Sequence, residues 1–167
     1  MSLDTSRPNS PIADRGPTTK PSARVLVIFE LNSNGAAALT QAAEVTSGSR
    51  SGLTVVTVAP QQPCTRCCGP SAEPFNAAVR EDAERDLRAA RELVGPAADR
   101  AAFKVLVGGR DPPLPAWIAE QAFDLVLLPR HRFTLGGHPM ARKLRRATRA
   151  QVRLVGSSAP VDARSGS

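Results

Sequence analysis

The amino-acid sequence predicts an α/β fold: a single Rossmann-like domain in which about four helices cover both faces of an open, parallel, five-stranded sheet. The first observation is that short apolar segments alternate with helix-prone segments between residues 23 and 156. The second is that most of these apolar segments have few polar positions on either face, as strands in the middle of a parallel sheet do. The third is size, since 167 residues with 41% hydrophobic content can bury one core.

Five segments have the composition of buried strands. The first two are rich in valine, leucine and isoleucine, and the turn "ELNSNG" and Pro60 end them. Connections of this length between parallel strands favour right-handed βα units. The five predicted strands are 23–29, 53–59, 103–107, 124–128 and 152–155.

Four helix-prone segments separate these strands. The most regular is 75–94, where apolar residues recur every three or four positions. Glu81–Arg85 and Glu84–Arg88 have the spacing of supporting ion pairs, and Gly95-Pro96 ends the helix. The apolar stripe consists of Phe75, Val79, Ala83, Leu87, Ala90 and Val94. The other three segments are 36–45, 114–122 and 140–150, the last with Pro139 in its first turn.

The two ends of the chain differ in composition from this domain. Residues 1–22 are rich in proline, serine and threonine, and residues 157–167 are similarly polar. We expect both to be disordered tails around a domain of residues 23–156. No apolar run is long enough to cross a bilayer and the N-terminal segment has no secretory signal, so we expect a cytoplasmic protein without a membrane partner.

The net charge of +7 is concentrated in one segment. Residues 129–153 contain eight cations and no acidic residue, which leaves 14 basic and 15 acidic residues elsewhere. Arg142, Arg146, Arg149 and Arg153 would align along one side of a helix that continued through them. A solvated helix face is the favoured interpretation. A basic nucleic-acid-associated accessory protein is the alternative, but nucleic acid is not the expected partner, because no aromatic residues alternate with these cations.

All three cysteines lie in "PCTRCCGP", residues 63–70. Cys64 and Cys67 have the spacing of a disulfide-forming pair, and Arg66 favours a neighbouring thiolate, so the pair is a candidate redox site. An ordinary loop is the favoured alternative. A zinc site completed by His131 or His138 is the third, but one cluster without a second ligand pair assigns no metal.

The loops after the strands hold the candidate ligand contacts, because ligands of such sheets bind beyond the carboxyl ends of the strands. Backbone N–H groups before the last helix, reinforced by arginine, are suited to a small anion. The candidate contacts on this segment are Arg130, His131, Arg132, Gly136, Gly137 and His138.

The order of segments resembles the universal stress protein (UspA-like) family over residues 23–156. The resemblance rests on "RVLVIFELNSNGAAALTQAAEV", "LTVVTVAP" and "KVLVGGRDPPLPAWIAEQAFDLVLLPRHR", followed by "LGG" before the last helix. Many members of this family bind ATP through an acidic residue after strand 1, a valine in strand 2 and a Gly-x2-Gly-x9-Gly-Ser/Thr loop. By position, the resemblance implies that Glu30 and Val58 are the first two of these contacts.

The third contact departs from the family pattern. Pro129 and Arg132 stand where the first two glycines belong, and Gly137 replaces the hydroxyl residue. Proline and arginine resist the backbone conformations that bring glycine close to phosphate. The resemblance and this departure together predict a non-catalytic stress-response protein that binds a small anionic ligand and has no cofactor. ATP binding through a divergent loop is the alternative.

The sequence favours neither an enzyme nor a monomer. Catalytic triads, paired carboxylates and histidine-rich metal spacings do not occur in a plausible arrangement. The resemblance implies a homodimer formed through the last strand, around Val152 and Leu154, because that strand would lie at a sheet edge.

Overall fold

The sheet has five parallel strands in the order β3-β2-β1-β4-β5, which confirms the predicted fold class. A computed structural model describes residues 23–47, 51–62, 72–130 and 138–156. The predicted tails and the cysteine loop lie outside these residues. The elements are β1 (Arg24–Ile28), α1 (Ser33–Thr46), β2 (Gly52–Ala59), α2 (Ala72–Val94), a 3-10 helix (Gly95–Arg100), β3 (Ala101–Val107), α3 (Leu114–Gln121), β4 (Leu125–Pro129), α4 (Pro139–Ala147) and β5 (Gln151–Val155).

The side chains of β1 divide the hydrophobic core into two layers. Val25 and Val27 pack in the layer that α1 and α2 cover. Leu26 and Ile28 pack in the opposite layer, which α3 and α4 cover. Alternate residues of a strand point to opposite faces of the sheet, so a strand without polar positions requires helices on both sides.

The helix α2 differs from its prediction in its start and in its buried face. It begins at Ala72, and Phe75 is 46% exposed although the apolar stripe predicts burial. The fully buried members of the stripe are the alanines Ala83 and Ala90. Small side chains at these positions let the helix lie close to the sheet, whereas Phe75, near the start of the helix, lies largely outside the core.

The predicted ion pairs of α2 also differ from those observed. Arg85 pairs with Asp82, one position nearer than the expected Glu81. The two ion pairs found within the described ranges are this one and Lys104–Asp111. Glu84–Arg88 therefore forms no ion pair there. Exposed pairs of this kind contribute little to stability in any case.

The last helix is shorter than the sequence predicts. Thr148 caps α4, its backbone N–H donating to the carbonyl of Leu144 at 2.9 Å, so the helix ends at Ala147. Arg149 therefore follows the helix and Arg153 lies in β5. The expected row of four aligned arginines does not form, because the chain turns into the fifth strand before the row is complete.

Ala122, the residue that ends α3, is the one described non-glycine residue with a positive φ, at 50°. Left-handed backbone costs an L-residue about 1–2 kcal/mol, whereas glycine adopts it freely. Ala122→Gly is therefore expected to raise the free energy of unfolding by about 0.5–1 kcal/mol after the entropy of the unfolded glycine is subtracted. Urea denaturation followed by circular dichroism measures this change.

The matched control is Ala119→Gly, an exposed position inside the same helix. There glycine lowers helix propensity, and we expect a loss of about 1 kcal/mol. Equal losses from both substitutions would show that the positive φ carries no strain.

Candidate functional site

A cleft of about 360 Å³ opens at the carboxyl ends of β1, β2 and β4. The strand order reverses here, because β1 leads through α1 to β2 on one side, while β4 joins its other edge. In open α/β sheets, the loops that leave the strands diverge at this point and form a crevice that binds ligands. The topology therefore makes this cleft the candidate site.

One wall of the cleft is apolar. Ile28 and Leu128 come from the ends of β1 and β4, and Met140 comes from the first turn of α4. Val58, near the end of β2, also lines the cleft and is 40% exposed. An exposed valine beside buried aliphatic side chains provides a surface on which the flat side of an aromatic ring can pack.

A second part of the cleft wall, here called the acidic wall, carries three carboxylates. Glu30 follows β1, and Asp82 and Asp86 lie one turn apart on α2. No lysine or arginine is among the described residues that line the cleft. Ionised carboxylates accept hydrogen bonds and donate none, so this wall suits hydroxyl and amino groups better than phosphate.

Glu30 is positioned by the start of α1. A Cβ on Gly35 would lie 2.0 Å from the carbonyl oxygen of Glu30, so only glycine allows the helix to approach this closely. Asn32 caps the helix by accepting from the Gly35 N–H at 2.8 Å. Its side-chain amide donates to Oε2 of Glu30 at 3.2 Å. The turn "ELNSNG" therefore fixes the direction of the carboxylate.

The helix α2 is attached to the sheet along the acidic wall. Asp86 accepts a hydrogen bond from the backbone N–H of Leu31 at 3.3 Å. The buried hydroxyl of Thr57 donates to the carbonyl oxygen of Ala83 at 3.0 Å. These contacts hold α2, and with it Asp82 and Asp86 of the acidic wall, against the ends of β1 and β2.

A second attachment holds the first turns of α2. The Asn76 side chain accepts from the Gln62 N–H at 2.9 Å and donates to the Gln62 carbonyl at 3.0 Å. The chain that leaves β2 and the helix that follows are thus joined across the predicted cysteine loop. Cys64 and Cys67 themselves lie outside the described residues.

Arg130 lies apart from the cleft. Its backbone N–H donates to Val155 at 2.7 Å, and its carbonyl accepts from the side chain of Asn34. Its Cβ and Cδ lie 3.7 Å from where a Cβ on Gly156 would be, so the arginine packs beside the end of β5. It is not among the described residues that line the cleft.

His138 is buried, lines the cleft and directly precedes α4. Its Nδ1 accepts from the backbone N–H of Ala141 at 3.4 Å, so the ring acts as the helix N-cap. The structure therefore brings together three of the predicted contacts: Glu30, Val58 and His138. His131, Arg132, Gly136 and Gly137 lie outside the described residues.

Sequence reasoning missed Asp82 and Asp86. Both belong to the polar side of the α2 pattern, where acidic residues are common and indicate only solvent exposure. The sequence shows that these two residues lie one helical turn apart. It does not show that α2 packs against the turn after β1. Among the residues that the structure describes, no group of three or more His, Cys, Asp or Glu side chains is arranged to hold a metal ion.

Solved structures show what this architecture resembles. UspA, a universal stress protein from Lactobacillus plantarum, superposes with a TM-score of 0.64 at 17% identity, over 80% of this chain and 97% of that one. A universal stress protein family member from Burkholderia pseudomallei has a TM-score of 0.59 at 19% identity, over 81% and 96%. The universal stress protein from Archaeoglobus fulgidus in complex with dAMP has a TM-score of 0.55 at 16% identity, over 80% and 97%. The chain has the universal stress protein fold.

The universal stress protein fold is thus confirmed by the backbone rather than by sequence identity. No protein-family model and no curated protein matches the sequence. None of the described helices is long and apolar enough to cross a membrane. Similarity of the backbone shows the fold alone, so the ligand of the cleft has to be inferred from the side chains that line it.

Gly35→Ala tests the close contact that positions Glu30. The added methyl group would overlap a backbone carbonyl, which cannot rotate away as a flexible side chain can. We expect the free energy of unfolding to fall by about 2–3 kcal/mol, as in overpacked cores. Urea denaturation measures the loss.

Gly52→Ala is the control, because nothing lies within 4 Å of a Cβ at that position. We expect a change within about 0.5 kcal/mol, the usual range for a surface site. A neutral Gly35→Ala would contradict the close contact between α1 and the end of β1.

Proposed function

We propose that this protein is a non-catalytic, stress-associated binding protein whose cleft holds the nucleoside part of an adenine nucleotide. The observation that carries the proposal is the pairing of an apolar wall, which exposes Val58, with a hydrogen-bonded Glu30 at the point of strand reversal. The universal stress protein from Archaeoglobus fulgidus, which shares the fold, was solved with dAMP. The base would pack on the apolar wall, and the ribose hydroxyls would donate hydrogen bonds to Glu30.

The charge of the described walls favours a nucleoside over a bare anion. Glu30, Asp82 and Asp86 all line the cleft. A single negative charge about 5 Å from one carboxylate is disfavoured by about 3 kcal/mol at an effective dielectric constant of about 20. Sugar hydroxyls, in contrast, donate hydrogen bonds to carboxylates. The volume of about 360 Å³ also lies within the range of small-molecule sites.

A phosphate attached to the nucleoside would leave the cleft toward the loop after β4. That segment carries the predicted contacts His131, Arg132, Gly136 and Gly137. We propose that these residues contact the phosphate, while Arg130 acts through its backbone by joining α1 to the end of β4. The ligand would then lie with its uncharged part against the carboxylates and its charged part against the cations.

The carboxylates of the cleft are engaged in positioning, which supports a binding role rather than catalysis. Asp86 accepts from a backbone N–H of the turn after β1, and Asp82 pairs with Arg85. Glu30 accepts from Asn32. General bases need a carboxylate directed at a reacting proton, whereas Asp86 attaches α2 to the turn after β1 and the other two carboxylates have partners within their own helix or turn.

Isothermal titration calorimetry with adenosine, AMP, ATP and inorganic phosphate tests the proposal. Adenosine, AMP and ATP are expected to bind and phosphate alone is not, because the nucleoside supplies the cleft contacts. Glu30→Gln keeps the shape but removes the charged acceptor, so we expect about 10- to 100-fold weaker adenosine binding.

Glu120→Gln is the matched control, since Glu120 is an exposed carboxylate of α3 outside the cleft. Its affinity for adenosine is expected to equal that of the unmodified protein. Binding of phosphate without binding of adenosine would reject the nucleoside site in favour of an anion site. Release of ADP from ATP above a protein-free blank would contradict the non-catalytic role.

A second proposal concerns assembly: we infer a homodimer through β5. The strand lies at one end of the sheet order and has β4 as its partner on one edge. The Gln151 N–H donates to the Asp124 carbonyl, and the Arg130 N–H donates to the Val155 carbonyl. The backbone N–H and C=O groups of the odd-numbered residues of β5 therefore face β4. The backbone groups of Val152 and Leu154 therefore face outward. The Val152 carbonyl accepts from the Arg145 guanidinium at 3.3 Å, so a second copy that pairs with this edge would replace that bond.

Leu154→Pro tests this edge, because it removes an outward N–H without removing a bond to β4. Sedimentation equilibrium of the unmodified protein is expected to show a dimer, and the variant is expected to dissociate at least tenfold more readily. Circular dichroism of the variant establishes that its monomer remains folded. A monomeric unmodified protein at about 100 μM would reject the dimer.

A further inference from the structure

We infer that the outer surface of α4 binds the phosphate backbone of duplex nucleic acid without regard to base sequence. The basic surface, as we define it, consists of Arg142, Lys143, Arg146 and the following Arg149. All four side chains are exposed. The inference does not depend on the ligand of the cleft, because none of these residues lines it.

The helix that carries most of the basic surface is packed firmly against the sheet. Ala141 and Leu144 are buried in the core layer beneath α4, with Met140 packed against the same layer. Arg142 and Arg146 are one turn apart and lie opposite Leu144, while Lys143 flanks them. Arg142, Lys143 and Arg146 are therefore presented together on a helix whose inner side is fixed to the sheet, and Arg149 follows two residues after the helix ends.

Among the described residues no ion pair involves this surface, although Asp124 lines the same small pocket as Arg149. The ion pairs found in the described parts of the chain are Arg85–Asp82 and Lys104–Asp111, and neither involves α4. The sequence has no acidic residue from 125 to 156. Like charges four residues apart, such as Arg142 and Arg146, destabilise a helix. A polyanion would relieve this repulsion, whereas an isolated solvated helix retains it.

The composition of the surface favours a duplex over a membrane or a single strand. The exposed large hydrophobic residues of the described chain are Leu31, Val45, Val58, Phe75 and Leu93, none of which lies on α4 or β5. Interfacial helices insert apolar side chains into lipid, and single-strand binders stack bases on aromatic rings. A duplex requires only cations facing its closely spaced phosphates.

Fluorescence anisotropy with two 20-base-pair DNA duplexes of unrelated sequence tests the inference. Four phosphate contacts predict that log K falls with log salt at a slope of about −3.6, which is a loss on the order of 100-fold between 50 and 200 mM salt. The two duplexes are expected to bind equally. The triple substitution R142Q/K143Q/R146Q keeps good helix formers and is expected to reduce the slope to about −1, with at least tenfold weaker binding at 50 mM salt.

The control R88Q/R91Q/R100Q removes the same total charge from α2 and the 3-10 helix, beside the opposite edge of the sheet. Its slope is expected to stay near that of the unmodified protein, and circular dichroism verifies that both variants are folded. Equal losses in the two variants would overturn the inference, since binding would then follow net charge alone. Binding to phosphatidylglycerol vesicles but not to the duplexes would overturn it in favour of a lipid surface.

Discussion

The strand β1 is paired on both edges and covered on both faces, and the rest of the structure follows from this placement. Val25, Leu26 and Val27 are completely buried, and β2 and β4 bond to the two edges of the strand. The chain leaves β1 through α1, which covers one face of the sheet. It reaches β4, on the other edge of β1, through α3, which covers the opposite face. The loops then separate, and a cleft opens above the carboxyl end of β1.

Contacts around this cleft hold the separated loops in place. Gly35 lets α1 approach the backbone of Glu30, and Asn34 joins the same helix to the end of β4. On the other side, Asp86 bonds to the turn after β1. One short turn thus contacts three elements, so its asparagines and its glycine shape the site as well as support it.

The fold could be predicted from the sequence because it depends on local patterns. Fully apolar segments separated by helices allow few arrangements other than a parallel sheet. The site could be predicted only where a residue directly follows a strand, as Glu30 does. Asp82 and Asp86 depend on how α2 rotates against the sheet, which small alanines decide. Arg130 follows β4 as predicted, yet its side chain packs toward β5 because its backbone completes the ladder.

The distribution of charge gives the two ends of α4 different roles. The helix begins at the cleft, where His138 caps it beside an acidic wall, and it continues away from the cleft with cations on its outer side. A net charge of +7 therefore says little about the cleft, whose described charges are negative. Because a charge acts mainly within a Debye length of about 8 Å at physiological salt, Arg142, one turn from His138, lies within range of a ligand in the cleft. Arg146 and Arg149 lie farther along the chain, so substitutions there are expected to disturb the cleft less than a substitution of Arg142.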